Sequence, residues 1–466
     1  MKLAFVVPRY GPEVVGGPEH QCRLIAERLA GAHQVDVLTT CAMNSRTWSN
    51  VHAEGADRLR GVTVRRFATA RTADPAGTRR LSDRVFFGRH QRQDEMEWLK
   101  LHGPWAPALN EYLERQHAQY DVLVFFTCLH APAVLGLRVA PSKSMVVPVV
   151  QDGPELGLGV FDDLFSSAAA FAWETDEERH LVSSRFHLRN LADDVVGCGV
   201  DLPEGEVSVD GGEWRLVGPP DREPLPPHLE GPANTFRRRH RLYGPFVLTA
   251  GRIAPGLGCE ELLEYFQHYL REGGDGRLVL MGSKLMPLID DAGVRFAGNL
   301  ADEERLHSLQ AATVVVIPSP DDSQLLLALE ALSVGTPVLV NARATATVQH
   351  CRRSQAGLFY GDRWEFAEAL KLLVRDTGLR SALGRNGRAY VSQHYRWTTV
   401  LSKYERLFDQ LRGSSRDVRH EPPDPQRAPP PRPRVSDGDR GRDRGHGRAR
   451  DRGAHDRSRH RRRDRR

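Results

Sequence analysis

The feature that most constrains the fold of this chain is a regular alternation of short apolar strands with amphipathic helices. In the first half the predicted strands are "KLAFVVP", "QVDVLTT", "YDVLVFFT" and "MVVPVV". The second half repeats the pattern with "GPFVLTAGRI", "GRLVLMGS" and "TVVVIPSP", separated by the predicted helices "CEELLEYFQHYL" and "ADEERLHSLQAA". Such alternation is typical of parallel sheets covered by helices. The sequence therefore predicts an α/β protein with two Rossmann-like domains that face each other across a cleft.

The domain organisation follows from the length of the chain and from its interruptions. The 466 residues are too many for one ordinary hydrophobic core. A proline- and glycine-rich stretch without clear periodicity divides the two halves. We predict a first domain at 1–200, a linker or insertion at 201–235, a second domain with closing helices at 236–412, and a tail at 413–466.

The predicted tail dominates the charge of the chain. It contains 18 arginines and nine acidic residues, so its charge is +9. The rest of the chain carries −4, and together they give the net charge of +5. With almost no apolar residues it is expected to be disordered. An electrostatic arm for RNA or anionic lipid and a solvated low-complexity extension both remain open. The absence of interleaved aromatic residues favours the extension and argues against a nucleic-acid partner.

Several function classes are disfavoured by composition. No apolar run approaches the roughly 18 residues needed to cross a membrane. The start, "MKLAFVVPRYGPE", is interpreted as a first strand instead of a signal peptide. Six scattered cysteines include no C-x2-C pair, which indicates reduced thiols in a cytoplasmic protein and no zinc site.

Polar residues follow several predicted strands, where the ligands of such sheets bind. The glycine-rich loop "GPEVVGGPEH", which includes Gly17, precedes a predicted helix and is either a phosphate or acceptor loop or a simple turn. It does not match G-x-G-x-x-G, which disfavours a dinucleotide oxidoreductase. Gln151 and Asp152 form a polar pair or a turn cap. Arg252 is a diphosphate ligand or a surface ion pair.

The stretch "PSPDDSQLLLALEALSVGTPVLV" places two acids on or beside one predicted helix. Asp322 stands where the helix would begin, so it is either an N-cap or a ligand-facing acid. Glu330 lies within an apolar run, and a buried carboxylate requires a partner. That partner is either a ribose diol or an internal cation.

Taken together, these motifs resemble the family-4 retaining glycosyltransferases of the GT-B fold. The resemblance extends from Met1 to about Leu411. It is carried by "GGPEHQCRLIAERLA", by the donor-loop-like "GRIAPGLGCEELL", by "VRFAGNLADEERLHSLQAATVVVIPSP", and by "DDSQLLLALEALSVGTPVLV", which is similar to the signature E-x7-E followed by A-x-G-x-P-V.

The resemblance implies a hexosyltransferase that needs neither a metal nor a cofactor and uses a nucleotide-diphosphate sugar as its substrate. It implies a donor in the second domain and a glycan or lipid-linked acceptor in the first. Arg252 would bind the diphosphate, Glu330 the ribose, and Asp322 would face the sugar. The amides of the helix start would meet the phosphate. The implied donor-binding residues are Gly17, Arg252, Ser323, Gln324, Leu325, Leu326 and Glu330, and the implied catalytic residues are Asp322 and Gln151.

This chain departs from the family pattern at several of these positions. Leu257 replaces a donor-loop lysine, Asp322 replaces a glutamate, and Gln151 replaces a histidine. The sequence "SQLL" replaces G-F-G-L, which substitutes bulky side chains where backbone would approach the ligand. A catalytically weakened homologue that acts as a binding or partner subunit in glycan assembly is therefore the alternative function. A peripheral contact with the inner face of a membrane is compatible with either function.

Overall fold

The computed structural model of the protein describes residues 1–14, 17–189, 192–202, 207–210, 213–216, 232–288 and 293–417. Residues 1–419 form one compact unit. The predicted linker lies largely outside the described residues, and so does the predicted tail from 418 onward.

The first half of the chain forms an eight-stranded sheet. Its strands are Lys2–Val6 (β1), Gln34–Thr40 (β2), Gly55–Leu59 (β3), Val62–Phe67 (β4), Val122–Phe126 (β5), Ser144–Val147 (β6), Ala170–Trp173 (β7) and Ala192–Val195 (β8). The order across the sheet is β3-β4-β2-β1-β5-β6-β7-β8, and only the β3–β4 pair is antiparallel.

Seven α-helices connect these strands. They are Gly17–Leu29 (α1), Pro75–Phe87 (α2), Arg92–His102 (α3), Pro107–Gln116 (α4), Ala131–Gly136 (α5), Gly159–Ser167 (α6) and Asp176–Arg185 (α7). Local chemistry explains where they begin. Asp74 accepts a hydrogen bond from the Gly77 amide at the start of α2, which also has Pro75 in its first turn. Thr175 caps α7 in the same way, and three acids follow it in the first turn.

The second half forms a six-stranded parallel sheet. A short antiparallel pair, Val207–Asp210 (β9) and Glu213–Leu216 (β10), precedes it. The sheet strands are Phe246–Ile253 (β11), Arg277–Lys284 (β12), Val294–Gly298 (β13), Val314–Ile317 (β14), Val338–Asn341 (β15) and Gly357–Tyr360 (β16), in the order β13-β12-β11-β14-β15-β16.

The helices of the second half are Pro232–Arg239 (α8), Cys259–Arg271 (α9), Asp302–Ala311 (α10), Leu325–Ser333 (α11), Thr345–Ser354 (α12), Arg363–Arg375 (α13), Thr377–His394 (α14) and Trp397–Asp417 (α15). Hydrophobic clusters lie on both faces of each sheet. The prediction of two parallel-sheet α/β domains is therefore confirmed.

One predicted strand is shorter than its apolar run. The run "MVVPVV" extends to Val150, but β6 ends at Val147. Pro148 has no amide hydrogen to continue the ladder. Val149 then adopts a φ of +52°, a conformation that β-branched residues rarely take. The polypeptide therefore turns at Pro148, before the apolar run is complete.

The last helix packs against the first sheet, although it follows the second sheet in sequence. Val400, Tyr404, Leu407, Phe408 and Leu411 of α15 belong to the same buried cluster as core residues of β1, β2, β5 and β7. The side chain of Lys403 also donates a hydrogen bond to the Val195 carbonyl at the end of β8. The chain thus returns to its first domain before the described residues end.

The segment that follows β8 packs closely against the segment where α14 ends and α15 begins. A side chain at Gly197 would meet the Tyr395 ring at 2.6 Å, and one at Gly199 would meet the Trp397 ring at 2.4 Å. Arg353 of α12 forms an ion pair with Asp176 of α7 at 3.0 Å. Only glycine allows the segment after β8 to lie this close to Tyr395 and to the start of α15.

In the part of the chain that the structure describes, no helix is both long enough and apolar enough to span a bilayer.

We expect Phe408→Ala to lower the free energy of unfolding of the first domain by about 3–5 kcal/mol, because it creates a cavity under the first sheet. Phe408 is 0% exposed, whereas the control Phe87 is 80% exposed. Urea titration followed by intrinsic fluorescence measures the change. Equal effects of Phe408→Ala and Phe87→Ala would contradict the assignment of α15 to this core.

Candidate functional site

Each sheet has a point where its strand order reverses. In the first sheet this point lies between β1 and β5, and in the second it lies between β11 and β14. The chain leaves adjacent strands in opposite directions there, which opens a crevice at the carboxyl ends of the strands. These two reversal points are therefore the sites at which a ligand is expected.

A cavity of about 830 Å³ lies at three of these four strand ends. Arg9 follows β1, Thr127 follows β5, and Arg252 is the penultimate residue of β11. The volume of the cavity is within the range typical of small-molecule sites. The lining residues from the first half are Arg9, Gly17, Pro18, Glu19, Ser45, Arg46, Trp48, Ala73, Pro75, Thr78, Arg79, Ser82, Leu101, His102, Thr127 and His130.

Two of the predicted site residues meet in this cavity. Gly17 begins α1 and contributes to one wall, and Arg252 contributes the cavity's lining from the second half. The Arg252 side chain is exposed, and no carboxylate of the described residues forms an ion pair with it. The surface-ion-pair alternative for Arg252 therefore has no support within the described chain.

The loop after β11 is held against the loop after β14. Gly258 has a φ of +74°, and a side chain there would lie 1.9 Å from the Pro318 carbonyl oxygen. Only glycine permits this approach. Leu257, which stands at the position of the family's lysine, packs against the hydrophobic cluster of the second domain. The cation that this position would supply is replaced by apolar packing.

The carboxylate of Asp322 binds the beginning of a neighbouring helix. It accepts hydrogen bonds from the amides of Ala346 at 3.1 Å and Thr347 at 2.8 Å, and from the Thr347 hydroxyl at 2.8 Å. These amides belong to the first turn of α12, where backbone donors lack partners within the helix. Asp322 therefore caps α12, a helix more than 20 residues further along the chain.

Glu330 has an internal cation as a partner. It is 7% exposed and accepts two hydrogen bonds from Arg305, one from Nε at 2.8 Å and one from Nη2. Arg305 lies on α10, which packs beside α11. Of the two alternatives that the sequence left open, the internal salt bridge is observed.

The side chains at the start of α11 contact the second sheet and the loop after β14. Ser323 lies in a short 3-10 helix, Asp322–Gln324, which precedes α11. The side-chain amide of Gln324 donates to the Ala250 carbonyl at 3.0 Å, and its oxygen accepts from the Ser319 amide at 3.3 Å. Leu325 is buried and Leu326 packs against the same cluster. Gln324 thus connects the two strand ends at this reversal point.

Gln151 is exposed and lies four residues beyond the end of β6. It is not part of the cavity lining, and its neighbour Asp152 forms an ion pair with Arg185 at 2.6 Å. The predicted roles of Gln151, Asp322, Ser323, Gln324, Leu325, Leu326 and Glu330 toward a donor stay predictions.

Arg9 and Glu19 form a buried ion pair in the cavity wall that the sequence did not reveal. The guanidinium donates to Glu19 Oε1 from Nε at 2.9 Å and from Nη2 at 2.6 Å. It also donates to the Met43 carbonyl at 3.1 Å, so its charge is committed within the wall. The position of Arg9 directly after a predicted strand was the available signal.

Two histidines form part of the cavity surface. The ring of His102 stacks between those of Trp98 and His130. Burial, then the neighbouring His130, lowers the pKa of His102 to about 3. Burial, opposed by a hydrogen bond to the Gly103 carbonyl, lowers the pKa of His130 to about 4. Both rings are therefore neutral near pH 7.

Thr127 stores backbone strain at the edge of the cavity. Its φ is +62°, an uncommon value for a β-branched residue. The Thr127 amide is held by the Val147 carbonyl at 3.1 Å. Strained residues of this kind concentrate at binding and catalytic sites.

Two carboxylates lie close together where β7 ends. Glu178 accepts from the amides of Val150 at 2.9 Å and Glu174 at 2.8 Å, so it joins the ends of β6 and β7. Burial, then the charge of Glu178, raises the pKa of Glu174 above its usual range, and Asp322 contributes in the same direction. Burial likewise raises the pKa of Glu178.

Within the described ranges, no group of three or more His, Cys, Asp or Glu side chains is arranged to hold a metal ion. All six cysteines are buried free thiols.

Two doubly wound domains whose strand ends share a cavity define the GT-B class, and the fold belongs to it. Among solved structures, the protein is similar to sucrose-phosphate synthase from Thermosynechococcus elongatus, with a TM-score of 0.62 and 19% identity over 89% of this chain and 100% of that one. An Anabaena protein, HepE, solved in complex with UDP-glucose, has a TM-score of 0.59 and 15% identity over 89% of this chain and 100% of that one.

The family is indicated by sequence. Residues 244–376 match the family model described as glycosyl transferases group 1. D-inositol 3-phosphate glycosyltransferase from Acidothermus cellulolyticus is 30% identical over 211 residues, which cover 39% of this chain and 46% of that protein. The chain spans about half the length of the curated relatives that it matches first. The resemblance to the group 1 glycosyltransferases is confirmed.

We expect Glu330→Gln to lower the free energy of unfolding by roughly 1.5–3 kcal/mol, because it removes the charged partner of Arg305. A double-mutant cycle with Arg305→Gln, measured by urea unfolding, isolates the pair. If Glu330 instead served only a nucleotide, the substitution would leave stability unchanged and weaken nucleotide binding alone.

We expect the stability of the protein to fall as the pH rises from about 4.3 toward and above neutrality, in part because of Glu174. With a raised pKa, the folded protein holds a proton in this range that the unfolded chain releases. Glu174→Gln should therefore reduce the difference between the urea midpoints at pH 5 and pH 8. The exposed control Glu114→Gln should not change it, and equal behaviour of the two variants would refute the assignment.

Proposed function

We propose that the protein is a retaining glycosyltransferase that transfers a hexose from a nucleotide-diphosphate sugar to a hydroxyl acceptor without a metal ion. The observation that carries the proposal is the cavity shared by the two halves, with Arg252 on one side and the first turn of α1 on the other. The resemblance to the group 1 family and the UDP-glucose complex of the Anabaena protein support a nucleotide-sugar donor.

In this proposal, Arg252 binds the diphosphate of the donor. A guanidinium keeps its charge across the physiological pH range and can bind two phosphate oxygens at once. The negative charge on the diphosphate increases as the bond to the sugar breaks. A fixed cation at the end of β11 therefore stabilises the transition state more than the bound substrate.

In the proposal, the first turn of α11 contacts the donor phosphates through electrostatic attraction. Gln324 holds the ends of β11 and β14 together, so the first turn of α11 keeps a constant position relative to Arg252. A helix start carries partial positive charge and unpaired amides. Asp322, which is held by α12, would act mainly by positioning this loop, and its contact with the sugar stays a prediction.

Glu330 and Leu257 favour a second candidate, a weakened homologue that binds a nucleotide sugar and turns it over slowly. Glu330 already binds Arg305, and Leu257 contributes packing instead of charge. A charge-assisted phosphate contact is worth roughly 1.5–3 kcal/mol, so the loss of one cation lowers donor affinity by about ten- to a hundredfold.

We expect release of a nucleoside diphosphate when the purified protein is incubated with a panel of UDP, GDP and ADP sugars, with water accepting the hexose where no other hydroxyl compound is supplied. Arg252→Gln should lower kcat/KM by about ten- to a hundredfold. Arg295→Gln, an exposed arginine on the edge strand β13, is the control and should match the unmodified protein. The anomeric configuration of any product, determined by NMR, tests retention.

Calorimetry separates the two candidates. Nucleotide binding without release for any donor would favour the weakened homologue. Neither binding nor release with any member of the panel would refute both.

A further inference from the structure

The shared cavity carries more positive charge than a donor diphosphate at Arg252 accounts for. Its described lining contains four arginines and one carboxylate. Arg9 uses its charge in the pair with Glu19. Arg46, Arg79 and Arg252 are exposed, and no carboxylate of the described residues lies within ion-pair distance of any of them. Three cations therefore face one space without a matching anion.

Two of these cations belong to the first domain. Arg46 lies in the segment between β2 and β3, and Arg79 lies on α2. Arg252 lies on β11 in the second domain. The positive charge is thus divided between the two sides of the cavity. In the proposed function, Arg252 binds the donor. Arg46 and Arg79 are then available to bind the acceptor.

One face of α2 has the composition of an anion-binding surface. Pro75, Thr78, Arg79 and Ser82 line the cavity, at the i, i+3, i+4 and i+7 spacing of a single helical face. The Ser82 hydroxyl accepts a hydrogen bond from the Trp98 ring nitrogen at 2.9 Å. Its own hydrogen can therefore point toward a ligand oxygen. Arg80, the next residue of α2, is exposed but does not line the cavity.

The rest of the surface is apolar or neutral. Trp48 packs edge-on against His130, and His130 stacks on His102. Because both imidazoles are uncharged near pH 7, the positive charge of the cavity comes from the arginines alone. A ring-shaped polar ligand could lie on this surface while an anionic substituent reaches the guanidinium groups.

We propose that the acceptor is an anionic hydroxyl compound, one that bears a phosphate monoester or a carboxylate, and that Arg46 and Arg79 bind its anionic group. This inference rests on the proposed function and names the substrate class of the same cavity. The charged group orients the acceptor so that a hydroxyl faces the donor held at Arg252. Arg46 and Arg79 are specificity-determining residues in this arrangement.

The test compares three probes that differ in charge: glucose 6-phosphate, glucuronic acid and glucose. Binding of each to the full chain is measured by calorimetry and by saturation-transfer NMR. We expect glucose 6-phosphate or glucuronic acid to bind more tightly than glucose, and the tighter of the two identifies phosphate or carboxylate as the anion. Arg46→Gln and Arg79→Gln should each weaken that binding by about ten- to a hundredfold.

Arg80→Gln is the matched control, since it removes the same charge from the same helix outside the cavity. It should leave probe binding unchanged. Equal binding of glucose and the anionic probes, no binding of either anionic probe, or equal losses in Arg79→Gln and Arg80→Gln would each overturn the proposal.

Donor binding is measured separately on the same preparations with UDP and GDP. Arg46→Gln and Arg79→Gln should preserve it, because both residues lie on the acceptor side. Charge-selective probe binding together with no nucleotide binding and no donor turnover would refute the proposed transferase while the anion site stands. Normal donor turnover without charge-selective probe binding would refute the anion site alone.

Discussion

The packing of α15 against the first sheet is the interaction on which the cleft depends. A chain with two sheets joined only by a linker would leave their relative position open. Here the last helix follows the second sheet and buries Tyr404 and Phe408 under the first. The connection after β8 passes so close to Tyr395 and Trp397 that only glycine fits at two positions. These contacts hold the two strand-order reversals near one cavity, and every proposed contact with a ligand follows from that arrangement.

Buried ionisable groups in the two domains are stabilised either by an ion pair or by protonation. Arg9 with Glu19 and Arg305 with Glu330 are paired inside the protein, which compensates the cost of removing them from water. Glu174 lies beside another carboxylate, and burial raises its pKa, so its proton replaces a counter-ion. By contrast, Arg46, Arg79 and Arg252 remain exposed at the cavity. Because none of these three arginines forms an ion pair within the described residues, their charge is available to a ligand in the cavity.

The sequence supports prediction of the fold more fully than prediction of the site. The predicted strand "YDVLVFFT" contains β5, Val122–Phe126, because a buried parallel strand requires a continuous apolar run. Arg252 and Gly17 were predicted from their places at strand ends, and both line the cavity. Arg46 and Arg79 were missed, since neither follows a strand directly and an exposed arginine has no distinctive local pattern.

The sequence by itself determined the alternation of strands and helices, and with it the parallel sheets, because period and apolar content are local properties of the chain. It also determined that a buried Glu330 needs a partner. Only the tertiary structure decided that this partner is Arg305, 25 residues earlier, and that Asp322 caps α12. It alone decided that arginines from four distant segments share a cavity. The physical reason is that pairing and charge depend on distances in space, which the packing of helices on two sheets sets and sequence spacing does not.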